Sequence, residues 1–271
     1  MAYMTKEFCK ICNVGRETLR HYEQLGFLQP KINPDNHYRS YDSWDASIIA
    51  DIKRYQSLGF SLEEIKTILS KHDLTQLITS VENRVFFYHE QIQYFQMLCK
   101  KSEEDLDILQ CIPQLINHYT TSQIPSLLYV PDKDLKYDSF ADNMNNAMNH
   151  LDFFTPCIRI DRCFTGDEIQ QDYSGWGLIT QKEYADYFTI HNGINIPASK
   201  TVCTIIDAGE KGNISKKLFD AFYAYIEQIT LEKNPTIYAY LLTRTHDKTG
   251  GYHRYLYTFF PTQVLTDKTD Y

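Results

Sequence analysis

Two arginines spaced four residues apart give this chain its first chemical feature. Arg16 and Arg20 stand in residues 13–30, NVGRETLRHYEQLGFLQP. In an α-helix, residues four apart lie on the same face, so both guanidinium groups would project together. A short helix with two fixed cations suits the major groove of DNA. An ordinary surface helix with two solvated arginines is the alternative that this stretch alone leaves open.

The neighbouring residues predict where this helix begins and ends. Asn13 or Gly15 can cap its start, Gly26 suits the left-handed residue that closes a helix, and Pro30 forbids its continuation. Another short helix is predicted over residues 5–11, where apolar residues recur at helical spacing. Two helices joined by a three-residue turn have the spacing of a helix-turn-helix.

A hairpin and two more helices are predicted next. Residues 34–36, Pro-Asp-Asn, are a turn signal between two extended arms within residues 31–41. A hairpin whose return arm carries aromatic and basic side chains can lie along DNA phosphates. A third helix is expected from a cap at Asp42 or Ser43, and a fourth from a capping box at residues 61–64.

Four motifs in this order cover nearly all of residues 3–70: TLRHYE at 18–23, GFLQP at 26–30, YRSY at 38–41 and LGFSLEEI at 58–65. Together they closely resemble the MerR family of transcription regulators. The resemblance implies a winged helix-turn-helix at the N-terminus of a dimer, with one helix in the major groove and the wing on the backbone. The DNA contacts that it predicts are Arg16, Thr18, Arg20, His21, Tyr22, His37, Tyr38 and Arg39. His21 replaces the more usual Tyr, so its phosphate contact would be sensitive to pH.

Apolar residues then recur at alternating steps of three and four, and neither Gly nor Pro occurs between residues 74 and 112. This pattern predicts a coiled-coil helix about 50 Å long. The predicted seam consists of Ile78, Val81, Val85, Tyr88, Ile92, Phe95, Cys99, Ser102, Leu106 and Leu109. A homodimer is favoured over an intramolecular helical hairpin, because helix-turn-helix regulators pair their reading heads. The resemblance implies an antiparallel pairing.

After residue 120 the pattern changes to alternating strands and helices. The order reads as strand-helix-strand-strand, written twice, over strands 126–130, 157–160, 174–180, 201–206, 236–244 and 252–260 and helices 139–153 and 215–231. The predicted fold is therefore multidomain. It comprises an all-α winged helix-turn-helix head (1–71), a long coiled-coil helix with its linker (72–119) and an α+β domain of two such repeats (120–271).

Two such repeats around a cleft resemble the GyrI-like ligand-binding domain. The resemblance implies a cleft for bulky aromatic compounds, cationic ones among them. In drug-sensing relatives an acid on the penultimate strand faces the cation. The matching strand here, 237–241, has Ala239 at that place, so tyrosines or an acid from elsewhere would have to attract a cation. The expected ligand contacts are Trp176, Tyr225, Ala239, Leu241 and Tyr255.

Strand alternation places Tyr238 and Tyr240 on the sheet face opposite Ala239 and Leu241. One pair would line the cleft and the other would face the helices. The sequence does not decide which pair is which. The 21 Tyr and 15 Phe residues of the chain favour an aromatic pocket, although each Tyr alone also fits a core.

Charge and cysteine content narrow the class of protein. The net charge is −8, but residues 1–71 hold ten Lys and Arg against nine Asp and Glu, and residues 72–271 hold 17 against 26. The acidic balance thus lies outside the predicted DNA-binding head. Seven scattered cysteines indicate reduced thiols, Cys9 and Cys12 among them as core residues. With no long apolar run or signal-peptide pattern, a cytoplasmic protein without membrane contact is expected.

The function predicted from these features is a ligand-responsive transcription regulator without cofactor or metal. Its partners would be promoter DNA, a second copy, a small aromatic ligand and, indirectly, RNA polymerase; the resemblance implies activation by distortion of the promoter. One alternative is a GyrI-like hydrolase of reactive drugs with Asp161 or Asp207 as cleft acids. A second is a metal- or thiol-sensing regulator using Cys99, Cys111 and His118. A third is a structural DNA-binding protein that ignores ligands.

Overall fold

The computed structural model describes residues 2–132, 139–165, 168–209, 214, 216–230 and 235–261. The chain forms two compact units, Met1–Tyr94 and Phe95–Tyr271. The boundary between them falls inside one long helix, whereas the sequence pattern put boundaries at residues 71 and 119. The three-part division stays a prediction.

The first unit contains four short helices, a small sheet and the start of the long helix. In chain order its elements are β1 (Tyr3–Met4), α1 (Thr5–Cys12), α2 (Arg16–Gln24), β2 (Lys31–Ile32), β3 (Arg39–Tyr41), α3 (Ser43–Ser57), α4 (Leu62–Lys71) and α5 (Leu74–Leu115). Strand β3 pairs with both β1 and β2 in antiparallel fashion. The predicted helix pair and the hairpin after it are confirmed.

Side-chain caps start α3 and α4 where the sequence placed them. Asp42 accepts from the backbone N–H of Asp45 at 3.2 Å, and Asp45 accepts from the N–H of Asp42 at 2.8 Å. Ser61 and Glu64 form the same reciprocal pair at the start of α4. Each box satisfies backbone donors that would otherwise lack a partner at the helix start.

Backbone conformation, rather than a side-chain cap, marks the ends of the first two helices. Asn13 is left-handed, with φ of 49°, and closes α1, while Gly15 precedes α2 without a side-chain bond. Gly26 has φ of +80°, as predicted for the residue that follows α2. The predicted helix-turn-helix spacing is thus present.

One apolar cluster holds these helices together. Leu19 is 1% exposed, so the face of α2 that carries Leu19 packs on the core, and both arginines are exposed to solvent. The other buried members include Phe8, Tyr22, Leu28, Tyr41, Ile49, Ile52, Tyr55, Phe60, Ile65 and Ile68. Burial of this face fixes the direction in which Arg16 and Arg20 project.

The second unit is organised around an antiparallel sheet. Its elements after α5 are β4 (Thr120–Ile124), β5 (Leu127–Pro131), α6 (Ser139–Met148), β6 (Thr155–Thr165), β7 (Glu168–Gln181), α7 (Lys182–Tyr187), β8 (Ile194–Ile196), β9 (Ser199–Asp207), a 3-10 turn (Lys216–Phe219), α8 (Asp220–Ile229), β10 (Thr236–His246) and β11 (Tyr252–Pro261). The strand order in the sheet is β4-β9-β11-β10-β6-β7-β5-β8.

The structure corrects several predicted bounds in this unit. Helix α6 ends at Met148 rather than at residue 153, and α8 begins at Asp220 after the 3-10 turn rather than at residue 215. Strands β4 and β8 were not predicted. Strand β7 runs without a break through Gly177, where a side chain would meet the ring of Tyr129 at 2.7 Å.

The two faces of the sheet are covered by different helices. On one face, α8 packs Phe222 and Ile226 onto Ile237 and Ala239. On the other face, Tyr238, Tyr240, Tyr257 and Phe259 pack with a stripe from the last part of α5 and the residue after it, which consists of Ile108, Ile112, Leu115 and Ile116. This second face is the one that carries a cleft.

Helix α5 continues past Pro113, where the seam pattern predicted its end, to Leu115. The carbonyl of Leu115 accepts the Thr204 hydroxyl at 3.2 Å, and the N–H of Asn117 donates to Ile205 at 3.0 Å. Strand β9 thus satisfies backbone groups at the helix end. The apolar residues of the predicted seam remain exposed in the single chain, by 36% at Val81 up to 60% at Phe95.

Candidate DNA-contacting surface and ligand cleft

Helix α2 presents four of the predicted DNA contacts to solvent. Arg16, Thr18, Arg20 and His21 are exposed. Neither arginine forms an ion pair within the residues that the structure describes. Two unpaired guanidinium groups on one exposed helix face can each donate several hydrogen bonds to phosphates or to guanine.

Tyr22 does not belong to this exposed face. It is 4% exposed, and its hydroxyl donates to Gln56 on α3 at 3.4 Å. Burial raises the pKa of this hydroxyl. The expectation that Tyr22 contacts DNA is corrected, because its ring packs in the core of the first unit. It lies on the buried side of α2, away from the exposed arginines.

The hairpin between β2 and β3 presents two further predicted contacts. Tyr38 is 61% exposed, and His37 adopts a left-handed backbone with φ of 57°. The hairpin is closed by two backbone bonds of 2.9 Å, one from the Asn33 N–H to the Tyr38 carbonyl and one from the His37 N–H to the Asn33 carbonyl. The Asn36 side chain also accepts from the Tyr38 N–H at 3.0 Å. These bonds hold the backbone of Tyr38 in the hairpin, and its ring is exposed to solvent.

Glu23 ties the wing to helix α2. Its carboxylate accepts from Arg39 Nε at 3.1 Å and from the hydroxyl of Tyr41. Tyr41 in turn stacks on Phe8 with ring centroids 4.4 Å apart. Burial, together with the hydrogen bond to Glu23, raises the pKa of the Tyr41 hydroxyl. The Arg39 guanidinium therefore positions the wing and remains 45% exposed for a further contact.

The second unit contains a cleft of about 560 Å³ on the sheet face that α5 covers. Its floor includes three aromatic rings on neighbouring strands. The centroids of Tyr240 and Tyr257 lie 5.1 Å apart, and that of Phe259 lies 6.2 Å from Tyr257 and 6.3 Å from Tyr240. This volume and an aromatic floor suit a compact drug-sized molecule.

Charged side chains from α5 line one wall of the cleft. Lys100 pairs with Glu183 of α7 at 2.7 Å, and Lys101 pairs with Asp105 one turn further along α5. Glu104 accepts from the Gln181 amide at 2.6 Å. Asp105 also lies near enough to Tyr240 to add to the effect of burial, which holds the pKa of that hydroxyl well above its usual range.

The ligand contacts predicted from the sequence do not line this cleft. Ala239 is 1% exposed and, with Leu241 and Tyr225, belongs to the cluster under α8 on the opposite sheet face. Trp176 pairs across strands with Ile158 of that same cluster, so its side chain also points to the α8 face. Tyr255 is on the cleft face but beyond the cleft lining.

The cleft residues that sequence reasoning missed carry a readable signal. The predicted seam weakens at Cys99 and Ser102, and within the same turns lie two lysines and a run of acids, residues 100–107. Where polar residues interrupt an apolar seam beside clustered charges, we expect another part of the protein to contact that part of the helix. Tyr240 and Tyr257 follow from strand alternation once α8 is assigned to the other face.

The two carboxylates named for the alternative hydrolase have structural partners, and the two cysteines predicted for the core of the first unit lie against it. Asp161 pairs with Arg159 at 3.0 Å, and Asp207 lies 2.6 Å from Nδ1 of His253. Cys9 and Cys12 pack against the core of the first unit, where burial raises the pKa of both thiols. Across the described residues, no group of three His, Cys, Asp or Glu side chains could hold a metal ion.

Comparison with known proteins bears on the first unit. The family model described as MerR HTH family regulatory protein matches residues 3–72. The chain is 36% identical over 67 residues to the multidrug-efflux transporter 2 regulator of Bacillus subtilis (strain 168), which covers 25% of this chain and 24% of that protein. It is 36% identical over 73 residues to the mercuric resistance operon regulatory protein of Bacillus cereus, covering 27% and 55%. The chain thus spans between about a quarter and about half the length of these relatives.

Two solved structures are also similar. The N-terminus of MtaN, the Bacillus subtilis multidrug transporter activator, has 25% sequence identity and a TM-score of 0.35, covering 38% of this chain and 97% of that one. The EcmrR–DNA complex has 20% identity and a TM-score of 0.37, covering 96% and 98%. From the family match, the first unit contains a DNA-binding helix-turn-helix domain. That domain is of the MerR type. Among the described helices, none is long and apolar enough to span a membrane.

Proposed function

We propose that this protein is a ligand-responsive transcription regulator that binds promoter DNA as a homodimer. The observation that carries the proposal is the MerR-type head over residues 3–72, with Arg16 and Arg20 exposed on one helix face and Tyr38 on the wing. Two relatives named as regulators support it. Helix α2 would enter the major groove, and the wing would contact the backbone.

A homodimer through α5 is supported by eight apolar seam residues that the single chain leaves exposed. A helix whose apolar stripe is uncovered in one chain gains stability by burying that stripe against a second copy. The described part of α5 is continuous over 42 residues. Pairing through it would place two reading heads on a near-palindromic operator.

A small-molecule effector is supported by the cleft in the second unit. The element order β5-α6-β6-β7 recurs as β9-α8-β10-β11, which fits two repeats of the GyrI-like kind. The proposed ligand is a bulky aromatic compound that rests on Tyr240 and Tyr257. Binding would favour one state of the dimer and so change how strongly it distorts promoter DNA, with activation as the outcome.

Selection of DNA sites tests this proposal. Full-length protein would be mixed with a pool of random duplexes, and bound duplexes would be amplified over several rounds. We expect enrichment of a near-palindromic site whose binding weakens with added salt, because phosphate contacts release counterions. A pool without any enriched sequence would contradict the regulator function.

The rival hydrolase function predicts a different result. Asp161 and Asp207 are both held in ion-pair contacts, which favours a structural part for these carboxylates. Incubation of the purified protein with reactive aromatic drugs, followed by chromatography, measures product formation directly. Steady turnover, in place of saturable binding, would favour the enzyme over the sensor.

A further inference from the structure

Helix α2 carries an acidic residue at the centre of the face that it turns to solvent. Its buried side chains are those of Leu19 and Tyr22, which are 1% and 4% exposed. An α-helix turns about 100° per residue, so Glu17 lies about 170° around the helix from the midpoint of these two. Gln24 lies at about the same angle, whereas Arg20 lies about 130° away. In the first turn of α2, Glu17 is therefore the residue most directly opposed to the core.

The carboxylate of Glu17 has no partner within the protein that would occupy it. Glu17 is exposed, and among the residues that the structure describes it takes part in no ion pair. Arg20 follows it by three residues, a spacing at which helical side chains can pair, but the two are not paired. Its oxygens are thus unshared acceptors on the surface that α2 presents.

The position of Glu17 along α2 determines what it would meet in DNA. The reading helix of a helix-turn-helix lies in the major groove with its N-terminal residues at the base edges. Glu17 is the second residue of α2, and Gln24 is the last. Arg20 and His21 lie on either side of Glu17, each about 130° from the buried midpoint, so they are nearer to the walls of a groove. The carboxylate would therefore face the bases, between side chains placed for the phosphates.

A carboxylate in the major groove discriminates by repulsion as well as by attraction. The phosphates repel it, so it lowers affinity unless a base donates a hydrogen bond to it. Cytosine and adenine present an amino group in the major groove, whereas guanine and thymine present oxygen acceptors there. Adenine also presents its N7 acceptor beside the amino group, and this atom would repel the second carboxylate oxygen. Cytosine is therefore the base that suits a carboxylate best.

We propose that Glu17 reads a cytosine in the operator by accepting a hydrogen bond from the N4 amino group of that base. Glu17 also weakens binding to DNA that lacks a cytosine at this place. Such an effect is large for a head in which ten Lys and Arg stand against nine Asp and Glu over residues 1–71. The inference rests on the proposed DNA-binding function and names a base that α2 recognises. Under the proposed homodimer, one such cytosine stands in each half-site.

Selection of random duplexes by full-length wild type and by Glu17→Ala tests the proposal. We expect wild type to enrich a cytosine at one position of each half-site, and Glu17→Ala to accept all four bases there while selecting the rest of the site unchanged. Replacing that C·G pair by T·A should weaken wild-type binding at least about fivefold in fluorescence anisotropy. The same replacement should leave the affinity of Glu17→Ala unchanged within about twofold, since alanine has no hydrogen bond to lose.

Glu17→Gln supplies a change of preference rather than a loss. A glutamine amide accepts from the adenine amino group and donates to N7, so the selected base should change from cytosine to adenine. Glu7→Ala is the matched control, because Glu7 is an exposed acid in the first turn of α1. It removes the same charge from the first unit and should leave the selected site unchanged. Circular dichroism would confirm that all variants keep their helices.

The outcomes separate this inference from the regulator function. A wild-type site that Glu17→Ala reproduces at every position would refute cytosine reading and leave DNA recognition intact. The same holds for a site whose cytosine preference is lost equally in Glu7→Ala, or one in which wild type selects another base where Glu17→Ala loses its preference. A wild-type protein that enriches no sequence would refute both, since α2 would then read no base.

Discussion

At the scale of single residues, Arg20 is the most direct test of the DNA-contacting surface. Arg20→Ala is expected to weaken binding of a selected duplex by about 1 to 3 kcal/mol, the usual size of an arginine–base contact. A phosphate contact alone would instead lower the salt slope by about one. Fluorescence anisotropy over a range of salt concentrations measures both effects.

Arg54→Ala provides the control for this change. Arg54 is an exposed arginine on α3 that pairs with Asp51, and it is not part of α2 or the wing. Its removal should leave affinity for the duplex nearly unchanged. Equal affinity and equal salt slope for wild type and Arg20→Ala would take Arg20 off the DNA-contacting surface.

A second residue-scale prediction concerns His253, which bridges two carboxylates. Its Nδ1 lies 2.6 Å from Asp207 and its Nε2 lies 3.3 Å from Asp247. Both contacts favour the imidazolium, with that to Asp207 the larger, and they raise the pKa of His253 above 6.5. The stabilisation is therefore complete below the ordinary histidine pKa and is lost as the pH rises through the higher folded value.

Melting temperatures measured from pH 6 upward would show this loss. We expect wild type to lose stability as the pH rises above about 6.5, and His253→Gln to lack that part of the decline. His246→Gln serves as the control, because His246 is exposed on β10 and has no carboxylate partner among the described residues. Parallel pH profiles for wild type and His253→Gln would show that the bridge is not charged in solution.

Individual residues differ in how far the sequence determined their placement. The projection of Arg16 and Arg20 from one helix face followed from their spacing of four residues. Tyr22 could not be placed in the same way, since a motif shows that a residue matters but not whether it touches DNA or the core. Strand alternation separated Ala239 from Tyr240, yet only the packing of α8 shows which of them faces the cleft.

At the scale of elements, the loop between α3 and α4 depends on a glycine. Gly59 has φ of +80°, and a side chain there would overlap the hydroxyl of Tyr88, which donates to the carbonyl of Leu58 at 2.9 Å. Gly26 has the same φ but open space around it. The two glycines therefore separate backbone strain from steric overlap.

Alanine substitution at each glycine measures the two contributions. Gly26→Ala should cost about 1 to 2 kcal/mol in unfolding free energy, from the left-handed backbone alone. Gly59→Ala should cost at least about 1 kcal/mol more, because the overlap with Tyr88 adds to the strain. Urea denaturation gives both values. Equal losses at the two positions would show that Tyr88 moves aside freely.

The elements of the first unit were more predictable than those of the second. Capping boxes at Asp42 and Ser61 set the starts of α3 and α4, because local hydrogen bonds decide those positions. Strands β4 and β8 were missed, since both lie at the edges of the sheet and β4 is a polar sequence, TTSQI, without an apolar run. Their pairing depends on β9 and β5, which are distant in sequence.

At the scale of the whole molecule, the seam of α5 predicts the number of chains. Ile92→Glu places a charge in the middle of the proposed dimer contact and should convert a dimer into a monomer, because burying an unpaired carboxylate opposes association. Sedimentation equilibrium measures the mass of the particle. Affinity for a selected duplex should fall with it, since the two reading heads then bind independently.

Gln93→Glu is the control for this substitution. It adds the same charge at the adjacent exposed position, and Gln93 is not a seam residue. The mass should remain that of two chains. A wild-type protein that sediments as a single chain at micromolar concentration would contradict the dimer before any substitution is made.

The exposed seam has a consequence for stability at different protein concentrations. Eight apolar side chains on α5 are uncovered in one chain. Under the proposed homodimer, the free energy of pairing two chains would therefore add to the stability of the folded protein. By mass action, the temperature of unfolding would then rise with total protein and fall on dilution. A cell making few copies would hold a larger fraction of them unpaired, and the abundance of the protein would itself set how much of it is competent to bind DNA.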